Sequence, residues 1–597
     1  MNGRLVRVSG VVVAPALLAL LFSISTPGTL ARPQVDPLFD APSAAIVAGQ
    51  LSSDFPARVP GSDEGLAAAQ WYEQTVEAAG IRTEIDSWNE RLPDLGDVEL
   101  RNVLAVVPGR SPETILVVSH RDNRGADGRF GDNASGTAAL IELARSFAPQ
   151  GTAAAPVPQR TLVLVSTDGG AYGGAGAAHF ARTSPYAEHA LVAVVLDGIG
   201  GGGQPRIAIA GDSPASPSRA LVSTAVASVA DQVGTDPELP SVPEQLVGLA
   251  IPWAVGEQGP FLARGVAAVT LTTRESGEPS VPVGDPDAPL ALEPLGDAGR
   301  AAEAVIASVD QSVGAAFRTP DSVFFADRVA SGWAIRLTLV VLVAPFAIGV
   351  ADLVARARRR EIAFLPAVRC LRARLLLWSF GALLLWFGAL VGVLPSGAAL
   401  ALPPYSESVV DGQTAAIVLL VAVFAAAWLV ARRPLAPATP VRPTDRLAGY
   451  AVGLAWLGVV AVVAAIGKPY ALVLVLPSLY AWLWLPVQTW RPATFALYGL
   501  GLAGPLLAFA VLGNELGLGP VDTAFYVASL VTVGYVSLPT VLLAVGWAAA
   551  AAQMGALALG RYGAYAGGVE PPPPGLVRGA IGAIARGARR RRYARAT

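Results

Sequence analysis

From residue 333 to residue 555 the chain runs through apolar stretches of about 20 residues each, at 333–354, 373–394, 413–431, 446–466, 469–487, 493–513 and 523–555, almost free of ionisable side chains. A helix of that length spans the hydrocarbon core of a bilayer and satisfies its own backbone polar groups, which lipid cannot do. The pattern predicts a transmembrane domain over 326–560 with seven helices. Soluble chemistry is confined to the residues before it. Composition agrees, since 53% of residues are hydrophobic, 15% are charged, and the mean hydropathy is +0.50. Ordinary soluble domains carry about 25% charge.

Charge sorts the topology. The segments at 355–360 (ARARRR) and 431–446 and the basic tail at 561–597 are expected on the cytoplasmic side. Seven spans starting from an exported domain place all three there. Splitting the last stretch at Ser537-Leu538-Pro539 would put the tail on the other side, so 523–555 reads as one kinked helix. Asp352, Glu515 and Asp522 fall at or beyond predicted ends, so the bundle lacks the groups that transporters keep at membrane depth. It reads as a structural or partner-binding element of a multi-pass plasma-membrane protein. Residues 1–32 open with two arginines, Arg4 and Arg7, followed by an apolar run. They form either an uncleaved anchor or a signal peptide cut near Ala31, and the anchor is the reading adopted. In both cases residues 33–325 lie outside the cytoplasm.

The net charge of -2 leaves no basic field for nucleic acid. Arginine is used almost to the exclusion of lysine, which fits high-GC bacterial codon usage. The single cysteine, Cys370, excludes an intrachain disulfide and a cysteine-built zinc site. Any metal must be held by carboxylates and by the three histidines, His120, His179 and His189.

Residues 33–325 alternate short apolar runs with helical patterns, the mark of an α/β fold. LRNVLAVV, TILVVSH, RTLVLVSTD, LVAVVLDG, PRIAIAG and AAVTLTT are the expected strands. The first four are nearly continuous Val, Leu and Ile, as in a sheet covered on both faces. Helices are expected at 63–80, 133–148, 173–182, 217–232 and 297–310.

The stretch 117–145 (VVSHRDNRGADGRFGDNASGTAALIELAR) carries the chemistry. A strand ends in His120, a loop supplies Asp132, and Asn133 to Gly136 open a helix. A later strand ends in Asp197. Loops at the carboxyl edge of a sheet converge, so His120, Asp132 and Asp197 could hold one Zn²⁺, with Asp122 orienting the imidazole from behind. The same aspartates could equally be loop caps.

His120-Arg121-Asp122, Asp132-Asn133-Ala134-Ser135-Gly136, Thr167-Asp168-Gly169 and Leu196-Asp197 follow in an order that resembles the co-catalytic zinc aminopeptidases of clan MH, metallopeptidase family 28. Arg58-Val59-Pro60-Gly61-Ser62 and Gly259-Pro260-Phe261 resemble further motifs of that family, and the likeness spans about residues 55–312. It implies a phosphorylase/hydrolase-like mixed sheet flanked by helices, the zinc aminopeptidase fold. It also implies metal ligation by His120, by Asp132 as the bridging carboxylate, and by Asp197. The anchor, exported domain and following spans are similar in order to endoplasmic reticulum metallopeptidases and to the pseudo-peptidase subunit of glycosylphosphatidylinositol transamidase.

The departures follow a pattern. Where the family carries a Glu-Glu pair, general base and zinc ligand, this chain has Gly170 and Ala171, and no histidine follows His189 to supply the family's last ligand. The missing groups serve one zinc and the base. Asp168, Glu275 and Glu278 are the nearby carboxylates that could substitute. The reading is a membrane-anchored, catalytically impaired peptidase-like protein that binds peptide, protein substrate or a membrane-protein partner. The alternative is an active metallopeptidase using a single zinc. His120-Arg121-Asp122 also imitates a kinase loop and Gly211-Asp212-Ser213 an esterase start, but their companion motifs are missing.

Overall fold

The structure is a computed structural model, and it describes residues 3–125, 132–147, 157–274, 290–404, 413–435 and 443–560. The basic tail with its proline run, Glu275 and Glu278 lie outside the described residues.

Helix α1 (Gly3–Ser23) is followed by α2 (Ala41–Asp54), α3 (Asp63–Ala78), β1 (Arg82–Leu92), β2 (Gly96–Val107) and β3 (Ser111–His120). Next come α4 (Ala134–Phe147), β4 (Arg160–Thr167), α5 (Ala175–Thr183), β5 (Ala190–Leu196) and β6 (Arg206–Ala208). The domain closes with α6 (Arg219–Val233), α7 (Val242–Ala250), α8 (Gln258–Ala263), β7 (Ala267–Thr272) and α9 (Leu292–Gln311). The strand order is β1-β2-β4-β3-β5-β7-β6. The central β4, β3, β5 and β7 are parallel, and β1, β2 and β6 add antiparallel edges.

Alternation along the strands divides the core in two. Val103, Ala105, Ile115, Val117, Leu162, Leu164, Val192 and Val194 face α2, α4, α6 and α9, whereas Leu104, Val106, Leu116, Val118, Val163, Val165 and Val195 face α5 and α8. Burial on both faces explains why these strands read as unbroken apolar runs. Every expected strand and helix is present. Sequence reasoning missed β1, whose RTEIDSWNERL is polar because it is an exposed edge strand, and α2, which has no strong apolar period. The β3-α4-β4 and β4-α5-β5 crossovers lie on opposite faces, so β3 stands at the point where the strand order reverses. Ligand crevices form at the carboxyl ends of such strands.

Beyond Ser331 the chain is helical: α10 (Gly332–Val341), α11 (Val343–Arg359), α12 (Leu365–Leu390), α13 (Gln413–Leu435), α14 (Pro443–Gly467), α15 (Leu472–Leu483), α16 (Arg491–Glu515), α17 (Pro520–Thr532) and α18 (Leu538–Ala558). Among the described residues six helices are long and apolar enough to cross a membrane: Gly332–Arg359, Leu365–Leu390, Thr444–Gly467, Pro469–Val487, Arg491–Glu515 and Leu538–Ala558. The stretch expected as a span at 413–431 gives the shorter apolar helix Thr414–Val430. The stretch 523–555 is not one kinked helix. It breaks after Thr532 into α17, of 13 residues and too short to cross, and α18, capped by Pro539 in its first turn.

Helices α15 and α16 make the closest pair, with Gly504 against the Leu474 carbonyl and Gly501 against the Trp482 indole. Small residues let membrane helices approach in this way. Gly499, on the same helix, faces open space.

The bundle grips the α/β domain at one end. The Tyr535 hydroxyl donates to Asp212 Oδ1 at 2.6 Å and accepts from the Ala254 amide at 3.0 Å. Tyr470 donates to the Asp321 carbonyl and carboxylate at 2.7 and 2.9 Å, and Arg336 pairs with Asp321 at 2.9 Å. A loop from α12 returns upward: Ala398 N–H donates to the Arg91 carbonyl at 2.9 Å, and Leu400 packs with Leu92, Leu100, Ala171, Tyr172 and Ala175. Its base is held by Thr532 and Tyr526, which donate to the carbonyls of Pro395 and Leu402. Helix α1 joins the bundle, with Thr338 donating to the Ala16 carbonyl and Ser25 pairing with Val329.

Two measurements check this packing. Gly504→Leu must push α16 away from the Leu474 backbone and should cost at least about 1–3 kcal/mol, whereas Gly499→Leu should be neutral. Equal melting temperatures of the two detergent-purified variants would contradict the contact. The second concerns Asp212, whose burial pushes its carboxyl up from 3.8 to about 6 against the lowering effect of the Tyr535 hydrogen bond. In that window the unfolded chain has lost the proton and the folded chain retains it, so this group's contribution to stability falls as pH rises through it. Asp212→Asn should remove that fall, seen as a smaller drop in melting temperature between about pH 4 and about pH 7 than in the unaltered chain.

Candidate functional site

Strand register brings the motif residues together. His120 pairs with Thr167 of β4, so Asp168 follows immediately beside it, and Val118 pairs with Val195, which places Asp197 next to His120 on the other side. Asn133 fixes the helix opening between them. Its side-chain amide donates to Ser119 Oγ and the Leu196 carbonyl, both at 2.9 Å, and its Oδ1 accepts from Gly136 and Gly198. A side chain on Gly136 would meet Asn133 Oδ1 at 2.4 Å and the Leu196 carbonyl at 2.6 Å, so glycine is required where α4 crosses β5. Much of the DNASG sequence is thus explained by architecture.

His120 is buried. Its Nδ1 lies 3.1 Å from the Asp122 carbonyl and 3.4 Å from Asp122 Oδ1, and its Nε2 lies 3.6 Å from Asp197 Oδ1. Burial opposes the charged imidazole, but the facing carboxylates of Asp122 and Asp197 and the charge of Glu257 prevail and push it up to about 10. Asp122 accepts from the amides of Gly170 and Ala171 at 2.8 and 3.0 Å. It faces the imidazole and holds the following turn.

The other carboxylates face arginines. Asp132 Oδ1 is paired with Arg58, buried at 1% exposure, whose Nε donates to the Arg121 carbonyl at 2.7 Å. Arg274 Nη2 lies 3.0 Å from Asp197 Oδ1 and donates to the Asp132 carbonyl at 2.7 Å, so one guanidinium stands between the two. Burial raises the Asp197 carboxyl, but Arg274 and His120 outweigh it and hold the group down at about 2. Asp168 is raised by burial and paired with Arg121 at 3.3 Å. It also accepts from the amides of Arg101 and Gly169, which leaves it tied rather than poised as a base.

Sequence reasoning missed Glu257, which sits just before α8. It is 4% exposed, its Oε1 accepts from Thr167 Oγ1 at 2.5 Å, and its Oε2 has no hydrogen-bond partner. Burial pushes it up to about 7, opposed by His120. The only sequence signal was its place two residues before the quoted Gly259-Pro260-Phe261. Asp197 Oδ1 is likewise buried without hydrogen-bond geometry to any donor, although Arg274 is at ion-pair distance.

Gly170 faces His120 directly, and a side chain there would place its Cβ 2.2 Å from His120 Cβ. Next to it, Gly173 is backed by the Ala401 carbonyl of the loop from the bundle. The remaining histidines lie elsewhere: His179 stacks on Trp88 at 4.0 Å between ring centroids and pairs with Asp86, and His189 Nδ1 lies 3.0 Å from the Pro185 carbonyl. Among the described residues no three His, Cys, Asp or Glu side chains are grouped to hold a metal ion. A zinc ion bound through His120, Asp132 and Asp197 would require Arg274 and Arg58 to release their partners, so the residues as arranged do not fit it.

Residues 102–248 match Peptidase family M28. No curated protein matches the chain. Solved structures similar to it include BSAP, a zinc aminopeptidase from Bacillus subtilis, at 13% identity and TM-score 0.38, covering 49% of this chain and all of that one. A leucine aminopeptidase precursor from Bacteroides thetaiotaomicron is similar at 18% identity and TM-score 0.37, over 46% of this chain and 98% of that one. Bacteroides thetaiotaomicron glutaminyl cyclase bound to N-acetylhistamine is similar at 17% identity and TM-score 0.37, over 46% and 99%.

Restoring a carboxylate by Gly170→Glu is expected to fail. The new side chain collides with His120, so the variant should melt below the unaltered chain, by the equivalent of at least about 1–3 kcal/mol. A melting temperature equal to that of the unaltered chain would refute the close approach.

Proposed function

We propose that this is a membrane-anchored, peptidase-like protein whose α/β domain no longer hydrolyses peptides efficiently and instead binds peptide or lipid-linked substrates, or a partner membrane protein. The observation that carries the reading is the pairing of the site's carboxylates with arginines, Arg58 with Asp132 and Arg274 with Asp197, beside a turn where Gly170 and Ala171 supply no base. Guanidinium groups neutralise charge as a metal would, but they do not lower the pKa of a water molecule. General-base assistance is worth roughly 10²–10⁴-fold in rate, and the turn at Gly170 and Ala171 carries no carboxylate to give it.

The same reading places the protein in the plasma membrane with the α/β domain extracytoplasmic. The arginine-rich last turn of α11 closes a stretch of 28 helical residues that starts at Gly332, where the chain leaves that domain, as the positive-inside rule requires. The contacts of α1 with Thr338 and of Ser25 with Val329 support an anchor that is retained.

One observation favours a second reading, an active enzyme with a single zinc. Asp197 Oδ1 and Glu257 Oε2 are both buried without hydrogen-bond partners in the site that holds His120, and both exert charge on it. Displacing Arg274 would free Asp197 as a ligand, and Glu257 Oε2 would be a further uncommitted oxygen beside it.

Full-length protein purified in detergent separates the two. The first reading expects substoichiometric zinc and no hydrolysis of aminoacyl or peptide substrates above an Asp132→Ala control. Turnover that disappears with Asp132→Ala, together with one zinc per chain, would overturn it.

A further inference from the structure

Between α1, α10 and α15 the bundle forms an open apolar crevice of about 480 Å³, lined among others by Leu20, Leu339, Leu342, Val473, Leu476 and Pro477 and bounded by Leu246 of α7. Tyr480 lines it, and Tyr470 precedes its α15 wall. At the top Tyr470 is bonded to Asp321 and lies 3.4 Å from the Gly332 carbonyl. At the bottom Tyr480 donates to the Leu342 carbonyl at 2.7 Å. These residues lie ten positions apart, about 15 Å of helix.

Volume decides what can enter. A transmembrane helix about 10–12 Å across with its side chains fills roughly 1,400 Å³ over 15 Å, far more than the crevice of about 480 Å³ holds. The polar groups in the walls are already used: the Thr338 hydroxyl donates to Ala16 and Ala334, and Tyr480 donates to Leu342. Nothing in the walls seeks a hydrogen bond, so a polar ligand would lose its own partners on entry. Walls formed by helices that can cross the membrane put acyl chains around the mouth. At the level of the upper tyrosine stands Arg336, half exposed and paired through Nε with Asp321, with the exposed Trp333 on the same helix. A basic residue and a tryptophan at one depth mark the headgroup level.

We propose that the crevice is a phospholipid site: one acyl chain lies along α10 and α15 beneath Leu246, and the phosphate sits beside Arg336. The lipid belongs to the leaflet next to the α/β domain, and because Leu246 bounds the crevice, the chain buttresses that domain. This site goes beyond the reading of the cleft and does not depend on it.

The test uses the full chain in nanodiscs containing a phospholipid with a photoreactive group in one acyl chain, with crosslinked peptides mapped by mass spectrometry. Labelling is expected to concentrate on 335–342, on 473–480 and around Leu20, above the level on α12, whose exposed Leu376, Leu383 and Phe387 meet the same bilayer. Leu339→Trp and Leu476→Trp each fill the slot and should abolish the excess while the labelling of α12 persists. Labelling spread evenly over α10, α12 and α15 in the unaltered chain would overturn the proposal. So would an excess that survives both tryptophan variants at unchanged melting temperature. If neither variant folds, the distribution in the unaltered chain decides.

Discussion

Four aspartates and one glutamate gather at the carboxyl edge of a dry sheet, and a buried carboxylate without a cation is expensive. The requirement for a counter-charge governs the cleft. Arg58 reaches Asp132, Arg121 reaches Asp168, Arg274 reaches Asp197, and His120 lies between Asp122 and Asp197. Each arginine is further fixed by backbone carbonyls, so the charge is held in place. The arrangement stabilises the carboxylates and occupies several of their oxygens, and removing one of the paired acidic residues would leave its arginine buried without that partner.

Much of this was legible in the sequence. The strands β2 to β5 announced themselves as apolar runs, and the placement of His120, Asp197 and Asp168 at strand ends followed from where those runs stop. Pairing of those ends is a matter of register, which a list of strands does not give. Arginine partners were illegible for a related reason. Arg58 lies 74 residues from Asp132 and Arg274 lies 142 from it, and the abundance of arginine in this chain hides the few that are buried. Glu257 was missed because a carboxylate before a short helix reads as a cap. The break after Thr532 was missed because Ser-Leu-Pro fits a kink as well as a fresh start, and the choice was made by the contacts of Tyr535 with the α/β domain.

The two halves of the chain share a core. Leu400 of the bundle completes an apolar cluster whose other members belong to β1, β2 and the turn beside His120. Trp253 of the α/β domain in turn packs with Leu402, Leu512 and Tyr526. The polar contacts of Tyr470 and Tyr535 sit at the margins of these clusters, where their hydroxyls reach groups that would otherwise be buried without partners.

The loop that carries Leu400 has a consequence for how the domain can leave the membrane. A protease that cuts the connection before Ser331 would sever the chain but not the attachment, because Leu400 would remain seated against Leu92 and Tyr172. A fragment ending at residue 325 would present that seat to water as an uncovered greasy patch. The α/β domain is therefore ill suited to standing alone, because part of its core is supplied by the helical bundle.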